Sequence, residues 1–216
     1  RVWAGSTPAT TGGCALASRP VASVPLCGHL DTFSHRVTRC CAVQDAITVA
    51  HDTVWATLFP LLCSHLPPGW TIWKDKVVST TGIPCLSLTS LKPDGLLWHK
   101  EDKLIHVLEF KRTTDFFPDS FERGFLRKFI KYAPLVRALE TANKDHTVRL
   151  SVFTLGDRGL LDEERWTANW AHLSLPPKGL APFCVRAALL AQEVATDILS
   201  AYTVALQNLA SAPGPT

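Results

Sequence analysis

The order of hydrophobic periodicities along the 216-residue chain predicts an α/β fold, a small mixed central sheet flanked by helices. Three observations carry that expectation. Apolar residues recur at helical spacing over 43–66 and again over 119–143. Runs at 70–79, 95–98, 104–110 and 147–155 alternate or are rich in β-prone residues. Two of those runs are joined by the polar turn His99–Lys103, which predicts a β-hairpin.

Taken in order, residues 1–23 are rich in Gly, Ser, Thr, Ala and Pro and read as a linker or lead-in. Residues 24–41 hold a Cys/His cluster. Val43, Ile47, Val54, Leu58, Leu61 and Leu62 mark the first helix, stopped by Pro67-Pro68-Gly69. A strand at 70–79 and the hairpin follow. Pro118 suits the first turn of the next helix. That helix has Phe121, Phe125, Phe129, Tyr132, Leu135, Val136 and Leu139 as its expected apolar stripe, and Pro134 is expected to bend it. A strand at 147–155, a short helix at 162–173 and a long helix or pair at 181–210 complete the chain, with a frayed tail from Ser211. The expected units are a lead-in at 1–23, a knuckle-like segment at 24–41, a core at 42–175 and a C-terminal helical extension at 176–216.

Composition sets limits. The hydrophobic share of 46% suits a packed core, and the net charge of +3 is too mild to define a partner. No run of about 18 uncharged apolar residues is present, so no membrane span is expected. Arg1 and the absence of Met lead us to expect a piece of a longer polypeptide. Seven cysteines without a secretory signal argue against a disulfide framework. Cys63, Cys85 and Cys184 read as small buried hydrophobes. Cys14, Cys27, Cys40 and Cys41 cluster with His29 and His35 and point toward metal binding.

The chemistry sits in Lys92-Pro93-Asp94-Gly95, fourteen intervening residues, and Glu109-Phe110-Lys111. Glu109 and Lys111 are two apart on one strand and share a face. Hairpin pairing brings that face beside Asp94. Two carboxylates suit a hard divalent cation, Mg2+ or Mn2+, and a lysine can stabilise charge building on a phosphate. An unpaired Glu109 in the apolar run from Ile105 to Phe110 would cost several kcal/mol if buried. This is the pattern of a PD-(D/E)xK nuclease, with Asp94 and Glu109 as metal ligands and Lys111 as the catalytic lysine. The competing reading makes Pro-Asp-Gly an ordinary turn and Glu109 and Lys111 a solvent-facing pair.

The segment from Ala50-His51-Asp52 to Gly156-Asp157-Arg158-Gly159 resembles the restriction-like endonuclease domain of site-specific non-LTR retrotransposons. The matching pieces include Pro67-Pro68-Gly69-Trp70, Lys92-Pro93-Asp94, the strand carrying Glu109, and Lys128-Phe129-Ile130-Lys131-Tyr132-Ala133-Pro134-Leu135-Val136. The resemblance implies a domain within a reverse-transcriptase polypeptide, acting in the nucleus, that nicks target DNA so that the free 3′ end primes reverse transcription. It implies a helix lysine, Lys131 or Lys128, as support or substitute for Lys111. It also implies a further carboxylate on the first helix, Asp52 with Asp45 in reserve.

The same family carries a knuckle of form C-x2-C-x7-H-x4-C upstream of the nuclease. Cys27, His35 and Cys40 match its last three ligands and imply a zinc site, while Val24 stands where the first should be. His29, Cys41 or Cys14 are the candidates for the missing ligand.

The partner expected is DNA, held through phosphate contacts by Arg112, Arg123, Arg127, Lys128 and Lys131, with Arg137 on the same basic helix. The alternative is a catalytically inactive nuclease-fold module for DNA binding or assembly, motivated by the incomplete knuckle. Trp70, Trp73, Trp166 and Trp170 read as packing residues. His99 and His106 read as hydrogen-bonded structural histidines.

Overall fold

The computed structural model describes residues 27–29, 31–85, 90–117 and 119–211. The lead-in at 1–23, Cys14, Val24, Pro118 and the tail beyond Ser211 lie outside the described residues. The helices are α1 (Phe33–Thr38), α2 (Gln44–Cys63), α3 (Ser120–Ala142), α4 (Glu163–His172) and α5 (Leu180–Ser211). The strands are β1 (Trp70–Lys74), β2 (Gly95–His99), β3 (Leu104–Thr113) and β4 (Thr147–Gly156). The sheet order is β1-β2-β3-β4; the first two pairings are antiparallel and β3–β4 is parallel.

Alternation along β3 divides the molecule into layers. Ile105 and Val107 face one side and pack with Tyr132, Leu135 and Leu139 of α3. Leu108 and Phe110 face the other and pack with α2, α4 and α5. Trp166 and Trp170 of α4 are buried there, as expected from their spacing. α5 is one continuous helix lying along α2. Its Phe183, Ala187, Leu190, Val194 and Ile198 belong to the same core as Trp55 and Leu58. The unit boundary expected at 176 therefore coincides with no break in packing. By length and composition Cys41–Cys63 is apolar enough to cross a membrane, but here Val54, Leu58 and Leu62 are buried in this core.

Three local expectations change. The strand expected to reach residue 79 ends at Lys74, because Asp75 takes a left-handed backbone (φ 52°) that turns the chain away. A short α1, started by Thr32 accepting a hydrogen bond from the His35 amide at 3.1 Å, lies within the segment read as a knuckle. The inward-facing stripe of α3 is also rephased. It runs Gly124, Lys128, Tyr132, Leu135, Leu139, while Phe129 is 46% exposed. The sheet beneath the first half of α3 presents Glu109 and Lys111, so a glycine and a lysine face it. Phe125 and Phe129 stack on each other beside the stripe at 5.7 Å, with the Arg165 guanidinium 4.1 Å from the Phe125 ring centroid. α3 runs through Pro134 as a single helix.

Two histidines expected to be structural differ in kind. His99 bonds the Pro68 carbonyl oxygen at 3.1 Å. His106 is fully buried against the edge of Trp70, and neither ring nitrogen has a partner among the described residues. Burial, with Arg149 and His172 nearby, pushes His106 down to about 4 from an ordinary 6.5. Neutral His106 thus favours the fold above pH 6.5, and that contribution is lost as pH falls toward about 4. His106→Leu is expected to flatten the acid side of the stability profile by on the order of 2–3 kcal/mol across that interval. Urea melts at stepped pH measure this; parallel profiles for the two proteins contradict it.

Candidate functional site

The hairpin register makes the site. Gly95 pairs with Leu108, so one step outward Asp94 stands opposite Glu109. The Phe110 amide donates to Asp94 Oδ2 at 2.7 Å, and the Asp94 amide donates to Glu109 Oε1 at 3.2 Å. Each carboxylate is thus fixed by the other's strand. A Cβ at Gly95 would lie 2.5 Å from the Phe59 ring, so only glycine lets this strand press onto α2. The Trp55 indole donates to the Asp94 carbonyl oxygen at 2.9 Å, and the Tyr132 hydroxyl donates to that of Lys92 at 3.0 Å. Helices on both faces therefore clamp the Lys92–Asp94 segment.

The lysine that meets the acids comes from α3. Lys128 Nζ lies 2.5 Å from Glu109 Oε2 and 3.4 Å from Asp94 Oδ2, with its side chain 16% exposed. Glu109 is fully buried. Burial pushes its carboxyl up to about 7 and Asp94 adds to the rise, against the opposing pull of Lys128.

Lys111 shares the Glu109 face but sits two residues further along β3, beneath Gly124, in a cleft with Arg39, Arg123 and Arg127. Burial lowers its pKa first, and Lys128, Arg127, Arg112 and Arg39 lower it further by repulsion. Among the described residues it has no carboxylate within ion-pair distance.

The remaining expected residues are dispersed. Asp52 is 73% exposed and lines a cleft of about 480 Å³ with His51, Lys74, Asp75, Lys92 and Asp94. Asp45 is exposed in the first turn of α2 and is not part of that lining. Lys131 is exposed, its ammonium 4.7 Å from the Tyr132 ring centroid, and it pairs with neither acid. Arg123 and Arg127 are exposed on α3, with Arg123 paired to Asp119 at 2.8 Å. Arg112, expected to grip DNA, is 6% exposed on the opposite face of β3, and its Nε and Nη2 lack partners among the described residues. Its position in the β alternation, one residue after Lys111, turns it inward.

Several contributors escaped the sequence reading. His51 contacts the Phe110 carbonyl oxygen at 3.3 Å and Asp52 at 3.1 Å, joining the cleft to β3. Its adjacency to Asp52 on a helix aimed at the sheet was the available signal. Beyond the C-terminal ends of β3 and β4, Asp115 accepts from the Arg158 side chain at 2.7 Å, and the Asp115 amide donates to Asp157 at 3.4 Å. A Cβ at Gly156 would lie 2.4 Å from Asp115, which explains the glycine there. Burial first, and Asp115 next, raise Asp157 to about 6.

Cys27, His35 and Cys40 come together at the base of α1. Cys27 Sγ is 3.1 Å from His35 Nε2 and 4.0 Å from Cys40 Sγ, and the three ligand atoms lie within 4.8 Å of one another. The group could hold a metal ion. His29 stacks at a tilt on His35, ring centroids 5.5 Å apart, while Cys41 is exposed.

No family model matches this chain, and no curated protein is similar enough to register a match.

The two lysines differ sharply in what they stabilise. At pH 8, Lys128→Met strands a buried carboxylate and is expected to cost about 3 kcal/mol. Lys111→Met relieves repulsion and is expected to be neutral or stabilising. Urea denaturation decides between them; equal losses contradict the assignment.

Proposed function

We propose that this chain is a metal-dependent DNA endonuclease domain with a restriction-endonuclease-like core, nicking target DNA to prime reverse transcription within a retrotransposon protein. The observation that carries the reading is the convergence of Asp94 and Glu109 across the β2–β3 hairpin, with Lys128 reaching both. The donor set fits a hard cation. Both acids offer oxygen ligands, and Glu109 is buried at a depth where a carboxylate calls for a positive counter-charge.

Asp94 and Glu109 are the residues that would hold Mg2+ or Mn2+, which supplies polarisation of the phosphoryl oxygen and a water of lowered pKa. The Phe110 amide keeps Asp94 aimed, and the Asp94 amide keeps Glu109 aimed. Lys128 takes the role expected of Lys111, placing positive charge where the phosphate becomes more negative. Asp52 and His51 line the approach to Asp94. In the hydrolysis a water oxygen bonds to phosphorus, the bond from phosphorus to the 3′ oxygen breaks, and that oxygen takes a proton. The product is the free 3′ hydroxyl that priming needs.

One observation favours the second reading, a module that binds DNA without cutting. The Lys128 ammonium already lies against both acids and offsets one of their two charges, as it would in a purely structural ion triad. Nicking of supercoiled plasmid in Mn2+ separates the two. Asp94→Ala or Glu109→Ala is expected to abolish nicking while folding survives. Lys128→Ala should lower the rate by about 100-fold or more, and Lys111→Ala by much less. A wild-type rate in both acid variants contradicts the endonuclease.

We further propose that Cys27, His35 and Cys40 hold zinc, with His29 as the neighbouring fourth candidate. Their separations of 3.1 and 4.0 Å bracket the roughly 3.5–3.8 Å edges of a tetrahedral zinc site. Purified protein should carry zinc near one per chain and lose it in Cys40→Ser, read by elemental analysis. Equal zinc in both proteins contradicts the assignment.

A further inference from the structure

The cations around Lys111 are arranged at a cost. Arg39 follows α1, Lys111 lies on β3, and Arg123 and Arg127 lie on α3, yet all four line one small cleft. Among the described residues Arg39, Lys111 and Arg127 have no ion-pair partner, and only Arg123 is held, by Asp119. Mutual repulsion and burial both press on Lys111. The cleft holds only about 20 Å³, so an anion that relieves this convergence of like charges would sit at its mouth. Lys111 is two residues from Glu109 on an extended strand, about 7 Å away. That is comparable to the step between neighbouring phosphates of one strand.

The cleft continues away from the acids. Arg39 and Thr114 are shared with a concavity of about 420 Å³ that also includes Phe117. Phe117, Thr32 and Ser34 are shared in turn with a cavity of about 260 Å³ whose other walls are Phe33, Phe116, Asp157 and Arg158. Phe116 is 67% exposed, Phe117 48% and Phe33 40%. Phe116 and Phe117 meet edge to face at 5.1 Å. The Asp115–Arg158 pair holds the end of β3 that leads into them. Three exposed phenylalanines around one cavity, reached by a line of cations of which only Arg123 is paired, match an unpaired nucleic-acid strand: phosphates on the cations, a base against the rings. A double helix offers no free base face to such rings, and an acidic peptide would leave them unused.

We propose that Arg39, Lys111, Arg123 and Arg127 form a phosphate-binding groove that leads an unpaired DNA strand from the Asp94–Glu109 site to a stacking platform of Phe33, Phe116 and Phe117. This rests on the endonuclease reading and gives its substrate a form, a duplex that opens beside the cut. Lys111 becomes a substrate-holding residue rather than a catalytic one.

The test is fluorescence anisotropy on the full chain, without added Mg2+ or Mn2+, with a labelled blunt duplex and the same duplex bearing an unpaired DNA flank. Wild type should bind the flanked duplex more tightly. Lys111→Gln and Arg39→Gln should each weaken binding and reduce the salt-dependence slope by about 1. The double variant Phe116→Ala, Phe117→Ala should weaken the flanked duplex by about 5- to 100-fold and leave the blunt one unchanged. These phenylalanines are exposed, so circular dichroism melts should match wild type; should they not, Phe116→Ala alone carries the same comparison. Unchanged slopes, equal loss on both ligands, or tighter binding of an RNA flank overturns the groove. Asp94-dependent nicking with binding indifferent to these side chains overturns the groove alone. Binding with the expected dependence but no metal-dependent nicking overturns the endonuclease reading alone.

Discussion

The buried contact between Glu109 and Lys128 is the constraint on which the rest of the molecule depends. A fully buried carboxylate on β3 stays ionised only with a positive charge beside it, and that charge comes from an element crossing the same face. α3 crosses there, and its inward stripe carries Gly124 and Lys128 where a hydrophobic helix would carry larger apolar groups. Asp94 enters through the hairpin register and shares the same ammonium at 3.4 Å. Two strands and one helix are thus tied at a single polar point inside an otherwise apolar layer.

Everything behind that point serves to hold it still. The opposite face of β3 packs against α2, α4 and α5, and the indole of Trp55 reaches through to the Asp94 carbonyl oxygen. Gly95 lets Phe59 approach the start of β2. Along the Glu109 face, polarity then changes in order: apolar Ile105 and Val107, the acid pair, Lys111 with its arginine neighbours, and finally the exposed phenylalanines. The strand alternation that builds the core also lays out this sequence of chemistries, because every second residue of β3 reports to the same side. Asp157 and His106 act oppositely on acid stability. Raised Asp157 favours the fold as pH falls through about 6, while lowered His106 opposes it as pH falls toward about 4.

Much of this was legible in the residues. Asp94 and Glu109 could be paired from a short hairpin and its register, and the helix–strand order predicted the mixed sheet. Lys111 was a reasonable choice for the lysine on face alone, but sharing a face does not mean sharing a position. It lies beyond the acids under Gly124, whereas Lys128 falls on the inward stripe. The clue was the spacing Gly124, Lys128, Tyr132, hidden by the more conspicuous phenylalanines at 121, 125 and 129. Those aromatic residues fit the helical period equally well, and only the polarity of the sheet beneath decides the phase. Arg112 looked like a surface cation, yet strand alternation turns it inward. The role of α5 in the core was unreadable because a long amphipathic helix after a Pro-Pro-Lys-Gly run fits an appendage as well as a core element. The Cys27–His35–Cys40 group was legible from spacing, but its closure by α1 was not.

Crystals soaked in Mn2+ and measured for anomalous scattering test the shared-cation account most directly. The account requires a peak within about 2.0–2.2 Å of a carboxylate oxygen from both Asp94 and Glu109. Density showing only the Lys128 ammonium between the two acids, with no anomalous peak at saturating metal, would contradict it.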